Sequence, residues 1–256
     1  MGPLISAAPL SALRAPIRHA QALSEGLSIA LDATQVAALK LREVQEKEAF
    51  TLADSTGGFF RASLKRLAAD GGEALVYERM PTSPESPAEL SLFCAILARQ
   101  RMLMLIQKAT ELGVSRVVPV FSRHSVQTEG LAHEKAHAWP KQAVRAARQC
   151  RRASLPDVHE PVPLRAALQS PSFVDADVRL ALDDRIGLAT LAPFAPRGAP
   201  VRVALVVGPE GGFSDDERSL LVERGACALR LGGRILRAET AVLAGLTLLQ
   251  HVYGDM

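Results

Sequence analysis

The stretch Leu205-Val206-Val207-Gly208-Pro209-Glu210-Gly211-Gly212-Phe213-Ser214, followed by Asp215-Asp216-Glu217, decides how this chain is read. An apolar run of the kind that fills a buried strand gives way to a proline and glycines, then to a serine ahead of three acids. Proline fixes one φ angle and glycine tolerates positive φ, so the loop turns sharply and bares backbone N–H and C=O groups. Ser214 is placed to cap a helix over residues 215–224, with acids in its first turn, where the helix dipole favours them. A plain strand-to-helix turn needs only one or two glycines; a strand that delivers a loop to a ligand uses more. A second stretch, Leu229-Arg230-Leu231-Gly232-Gly233-Arg234-Ile235-Leu236-Arg237-Ala238-Glu239-Thr240-Ala241, has the same shape. Thr240 or a neighbour is the expected cap of its helix. Two such loops near one C-terminus point to one pocket built from both. No Gly-Lys-Ser/Thr follows either, which excludes a Walker phosphate loop, and the dinucleotide fingerprint lacks its spacing and its ribose acid.

Upstream, strands alternate with longer helices. Residues 90–96 read as a buried strand, 101–112 as a helix closed by Gly113, and 116–120 as a strand. Residues 134–152 read as a helix interrupted or kinked near Pro140. Strands follow at 178–182, 201–207 and 228–231, and a mostly apolar helix closes the chain at 239–253. This alternation predicts an α/β fold with a mainly parallel sheet and helices on both faces. Before it, Pro81-Thr82-Ser83-Pro84-Glu85-Ser86-Pro87 carries three prolines and two serines, which no regular element survives, and marks a domain boundary. N-terminal to that break the elements are short. A strand is expected at 28–31, a helix at 34–44, a hairpin from 49–53 to 59–64 across a glycine-containing turn, and a strand at 74–77. They make a small β-rich domain over residues 1–84, followed by a second domain over 85–256.

The 256 residues hold 48% apolar side chains, enough for a core in each domain, and no apolar run approaches the ~18 residues of a spanning helix. The first 22 residues lack the continuous apolar centre of a signal peptide. Three cysteines, Cys94, Cys150 and Cys227, share no metal-like spacing and argue against a disulfide framework, so a cytoplasmic protein without metal is expected. The net charge of +3 is unevenly spread: residues 99–165 carry 12 basic and 5 acidic side chains, while the segments on either side are close to balanced. That excess points to an anionic partner, nucleic acid above all, with an ordinary solvated surface as the alternative.

The pair Gly-Pro-Glu-Gly-Gly-Phe-Ser and Leu-Gly-x-Arg-Ile-Leu-Arg-x-Glu-Thr-Ala resembles the signature of the RsmE family, RNA methyltransferases of the SPOUT superfamily. A third block, Arg101-Met102-Leu103-Met104-Leu105-Ile106-Gln107-Lys108-Ala109-Thr110-Glu111-Leu112-Gly113-Val114, is similar to the family's Gln-Lys-x-Thr-Glu-Leu-Gly-Val helix, and Arg123-His124-Ser125-Val126 and Gln149 with Arg152 match shorter motifs. The resemblance implies methylation of uridine N3 in 16S ribosomal RNA of the small subunit, with S-adenosylmethionine as methyl donor. It implies a trefoil knot in the C-terminal part of the sheet, a PUA-like RNA-binding β-barrel at the N-terminus, and a homodimer. By carry-over, Gly208, Glu210, Gly211 and Gly212 form one cofactor wall, Leu231, Gly232, Ile235, Leu236 and Arg237 the other, with Leu182 near the adenine. Arg237 and Glu239 are the catalytic candidates, for stabilising an anion on the uracil oxygens and for handling or orienting the proton. Arg123, Arg145 and Arg152 are the candidates to hold RNA phosphates.

The chain departs from the family in two places. Glu48-Ala49 stands where a Gly-Asp turn is expected and no histidine pair precedes it, and the family's Glu-Gln-x-Gly-Arg reads Arg148-Gln149-Cys150-Arg151-Arg152. Two alternatives therefore stand beside the leading one: a SPOUT enzyme acting on another RNA, and an RNA-binding or ribosome-assembly factor that has lost turnover.

Overall fold

A computed structural model describes residues 9–68, 70–183 and 201–256. The chain divides into two compact units, Met1–Glu85 with Ala147–Leu155, and Ser86–Ala146 with Pro156–Met256.

The first unit contains α1 (Leu10–Arg14), β1 (Ser28–Leu31), α2 (Ala33–Leu41), β2 (Ala49–Ala53), β3 (Phe59–Leu67) and β4 (Gly72–Arg79). The strands form one antiparallel sheet in the order β1-β4-β3-β2. Its core is Phe50, Leu52, Phe60, Ala62, Leu64 and Val76, against Val36 and Leu39 of α2. Asp32 and Gln35 build a reciprocal capping box, each side chain accepting from the other's backbone N–H at 2.8 Å. The helix ends at Leu41, short of the expected Val44, because Glu43 takes a φ of 54° and breaks the ladder. Between β2 and β3 the Asp54 carboxylate accepts from the backbone N–H groups of Thr56 and Gly58, both at 2.9 Å, and so shapes the turn. Burial pushes its carboxyl up, but these bonds and one from Leu23 outweigh it and hold the group below the ordinary range.

Buried charge organises the rest of this unit. Arg42 is 4% exposed and donates to five carbonyls, of Leu13, Ala38, Arg14, Ala15 and Ala153. Burial lowers its guanidinium to about 10, while Glu85 acts to raise it. Glu85, inside the proline-rich break, accepts from Arg152 Nη2 and from the backbone N–H groups of Ala153 and Ser154, each at 2.8 Å. Segment 147–155 is thereby built into this unit although it lies far along the chain. Arg148 donates to the Glu43 carbonyl at 2.9 Å and pairs with Glu48 at 2.7 Å. The two departures from the family pattern thus meet each other.

The second unit contains β5 (Glu89–Ala95), α3 (Arg99–Glu111), β6 (Arg116–Phe121), α4 (Trp139–Gln149), β7 (Asp157–Val158), β8 (Val162–Pro163), α5 (Leu164–Ala167), α6 (Pro171–Val174), β9 (Val178–Leu182), β10 (Arg202–Val207), α7 (Asp215–Glu223), β11 (Cys227–Ala228) and α8 (Ala238–Tyr253). Its seven strands pair in parallel in the order β11-β9-β10-β5-β6-β7, with β8 also on β6. Alternation along the strands makes two apolar layers. Leu90, Leu92 and Cys94 of β5 and Val203, Leu205 and Val207 of β10 share a core with Leu105 of α3 and Leu246 of α8. Phe93, Ala204 and Val206 face the opposite core with Phe173 and Leu221. Helices therefore cover both faces of the sheet, as expected for a doubly buried parallel sheet.

Three expectations are corrected. Pro140 does not kink a helix: α4 starts at Trp139, so the proline sits in the first turn, where it has no intrahelical N–H to lose. The last strand stops at Ala228, not Leu231: Leu229 still donates its N–H to the Ala181 carbonyl at 2.8 Å, and residues 230–231 continue as loop. Thr240 does not cap α8; Arg237 is at the cap position with no side-chain cap bond. Among the described residues no helix is long and apolar enough to cross a membrane.

Candidate active site

The register of the sheet brings the decisive loops together. Val207 at the end of β10 pairs with Leu182 at the end of β9, and Ala228 of β11 pairs with Ala181. The C-terminal ends of β9, β10 and β11 therefore lie at one edge of the sheet, where open α/β sheets hold their ligands. Leu182 and Asp183, the loop after β10 and residues 229–236 after β11 line a cleft of about 390 Å³.

Of the residues expected to hold a cofactor, Leu182, Glu210, Gly211, Gly212, Leu231, Gly232, Ile235 and Leu236 line this cleft, and Gly208 and Arg237 do not. Gly208 has a packing role instead, because a Cβ there would come within 3.1 Å of the Phe213 ring. Gly212 donates its N–H to the Pro209 carbonyl at 2.9 Å and holds a φ of 70°, a conformation that favours glycine. A Cβ on Gly211 would stand 3.0 Å from His124, so the loop is as close to its neighbour as a bare backbone allows. The Glu210 carboxylate pairs with Arg101, which ties the loop to the first turn of α3 and gives the third sequence block a place in the site.

Charge at the cleft is supplied by residues the sequence did not single out. Arg218 of α7 donates to Asp183 at 3.0 Å and to Asp215 at 2.8 Å. Burial alone would lower the Arg218 guanidinium; its bonds to the two aspartates win and raise it. The Asp183 and Arg218 partners lie 35 positions apart, and the sequence between them carries no pattern that announces the pair. Ser214 caps α7 through a box with Glu217, as the serine and the acid three residues later imply.

The catalytic candidates are placed differently from each other. Arg237 is exposed at the start of α8. Glu239 is 8% exposed, does not line the cleft, and one of its carboxylate oxygens is buried without a hydrogen-bond partner among the described residues. Of the three arginines expected to hold phosphates, Arg123 and Arg145 are exposed. The Arg152 side chain is 6% exposed and bound to Glu85, so it serves the interior of its unit and is not available to a phosphate.

A second cleft, of about 460 Å³, shares Gly211 and Arg218 with the first and is completed by Arg123, His124 and residues 213–216. The loop carrying Arg123 and His124 is held by Ser125, whose Oγ accepts from Ser122 N–H at 2.9 Å, and by Gln127, whose amide donates to the Ser122 carbonyl at 2.8 Å.

Residues 84–250 match the family of proteins with an RNA methyltransferase domain. A ribosomal RNA small subunit methyltransferase E from Mesomycoplasma hyopneumoniae is 30% identical over 186 residues, covering 72% of this chain and 79% of that protein. The chain belongs to the RsmE family of RNA methyltransferases. The crystal structure of a ribosomal RNA small subunit methyltransferase E from Neisseria gonorrhoeae bound to S-adenosylmethionine is 31% identical, with a TM-score of 0.63 over 94% of this chain and 99% of that one. A methyltransferase from Legionella pneumophila, solved with S-adenosylmethionine, is 29% identical with a TM-score of 0.64, covering 94% of this chain and 98% of the other.

Proposed function

We propose that this protein transfers a methyl group from S-adenosylmethionine to N3 of a uridine in 16S ribosomal RNA. The observation that carries the reading is the cleft made by the two glycine loops at one edge of the parallel sheet. Its volume of about 390 Å³ falls in the range of small-molecule sites. Its composition fits the donor: Leu182, Leu231 and Leu236 offer apolar surface to a purine, and Gly211 and Gly212 bring bare backbone to the cleft wall, where a ligand can approach closely. When bound, S-adenosylmethionine would supply an electrophilic methyl on a sulfonium.

What remains for the chain is to position the base and remove the N3 proton. Arg237 is assigned to stabilising the negative charge that develops on the uracil oxygens. Glu239, buried beside the first turn of α8, is assigned to orienting neighbouring groups and not to accepting the proton. Arg123 and Arg145 are assigned to RNA phosphates, and Arg152 is withdrawn from that role. On this reading the C-terminal part of the parallel sheet carries a trefoil knot, and the parallel-sheet unit is the SPOUT domain. Residues 1–84 form a PUA-like barrel that grips RNA. The working form is a cytoplasmic homodimer acting on the small ribosomal subunit or its RNA.

Two measurements test this. Isothermal titration with S-adenosylmethionine is expected to give saturable binding, and an absence of heat from folded protein would remove the cofactor. Mass mapping of 16S ribosomal RNA with and without the gene is expected to show one 3-methyluridine lost; an unchanged map would redirect the activity to another RNA.

A further inference from the structure

His124 has the placement of a proton acceptor. Its ring lies against the bare backbone of Gly211, and its Nδ1 stands 3.0 Å from the carbonyl oxygen of Gly212. A carbonyl oxygen can only accept, so Nδ1 must carry the hydrogen of that bond. In the neutral ring the other nitrogen, Nε2, then bears the free lone pair. The side chain is exposed and lines the second cleft, which meets the cofactor cleft at Gly211 and Arg218. No hydrogen bond to Nε2 is present among the described residues. The other candidate for the proton, Glu239, lines neither cleft.

We propose that the second cleft receives the target nucleotide and that His124 Nε2 is the general base for uridine N3. The inference rests on the function proposed above and deepens it. In the step, the N3–H bond breaks with its proton passing to Nε2, and the N3 electron pair forms the bond to the methyl carbon. The carbon–sulfur bond breaks with its electrons returning to sulfur, which leaves as a neutral thioether. The imidazolium then returns its proton to solvent. Histidine is the side-chain type suited to such a transfer near neutral pH. The charges facing it are Arg123 on its own loop, Asp215, Asp216, Glu217 and Arg218 at the start of α7, and Glu210 on the glycine loop, the last held by Arg101. Arg123 in the same cleft is placed to hold a phosphate of the incoming nucleotide.

The test uses His124→Asn, which offers a side-chain N–H in place of Nδ1–H but no base. The full-length protein is assayed on small-subunit particles reconstituted with either ordinary or 5-fluorouridine 16S transcript. The expected result is unchanged S-adenosylmethionine affinity by calorimetry and a kcat lower by about 100-fold or more. The variant's rate should rise with pH and recover in part on the 5-fluorouridine transcript, because both raise the fraction of N3 that is already deprotonated. In wild-type protein without cofactor, the His124 imidazole NMR signals should shift when the ordinary transcript is added. A variant as fast as wild type, or one slowed equally at every pH and on both transcripts, would overturn the role. So would imidazole signals that ignore the transcript. Wild-type protein that binds the cofactor yet methylates neither transcript would instead bring down the function on which the inference rests.

Discussion

The glycine loops of the parallel-sheet unit and the charged network of the antiparallel unit use opposite means. Around the cleft, the useful surface comes from side chains that are absent: Gly211 admits no Cβ without meeting His124 at 3.0 Å, and Gly212 holds a positive φ. Around Arg42, position comes from long charged side chains spent inside, with five carbonyls on one guanidinium and Glu85 gripping Arg152 and its neighbours. The first arrangement lets a ligand approach the backbone closely. The second leaves little free, so arginines that look like RNA contacts in the sequence divide into structural and available ones.

Substitutions can separate the two. The largest effect is expected from Gly211→Val, whose branched side chain is driven into His124. Overpacking of this kind costs about 1–3 kcal/mol even where neighbours can shift, and here it also moves the cofactor wall. Calorimetry should find no S-adenosylmethionine binding while circular dichroism stays native; unchanged affinity would take this loop out of the cleft. Arg42→Met should cost about 3 kcal/mol or more, because buried carbonyls lose their donor. Thermal unfolding should fall accordingly with the cofactor affinity of the folded protein retained. Parallel loss of that affinity would refute the division of labour. Arg237→Ala should lower kcat about 100-fold with little change in cofactor affinity, the scale seen when one anion-stabilising donor is removed. Normal turnover would clear Arg237 of its role.

Acid probes the charged network more gently. The Glu85 carboxyl is pushed up by burial, but Arg152, Ser154 and their bonds hold it below the ordinary range. A depressed folded value contributes stability that is fully present above the unfolded value and is lost as pH falls through the folded one. The unit should therefore weaken as pH drops below the usual carboxylate range, and Glu85→Gln should flatten that slope in chemical unfolding at several pH values. The smallest effect belongs to the half-buried Arg148–Glu48 pair. Arg148→Glu alone should cost roughly 0.5 kcal/mol, and adding Glu48→Arg should recover most of it. A double variant no better than the single would show that the pair is incidental.

Much of this could be read from residues in order. The buried strands β5 and β10 appear as apolar runs, Ser214 and Glu217 spell their capping box, and Gly113, with a φ of 77°, closes α3 where the pattern ends. Leu229 and Leu231 mislead for a physical reason: their alternation about Arg230 looks like a strand, but they face a cleft and the edge of a core. Other features depend on distance in space. Asp183 and Arg218 meet only once β9 and α7 are placed, Arg152 turns inward only because Glu85 is there, and His124 gains meaning only from the Gly212 carbonyl. Chemistry carried by contiguous residues is legible in sequence, and chemistry carried by packing is not.

The most direct measurement is a nucleoside map of 16S ribosomal RNA from cells lacking the gene, complemented with either wild type or Gly211→Val. The expected result is a single 3-methyluridine that the wild-type gene restores and the variant, folded and present at equal level, does not. A 3-methyluridine restored equally by the variant, or absent from every strain, would contradict it.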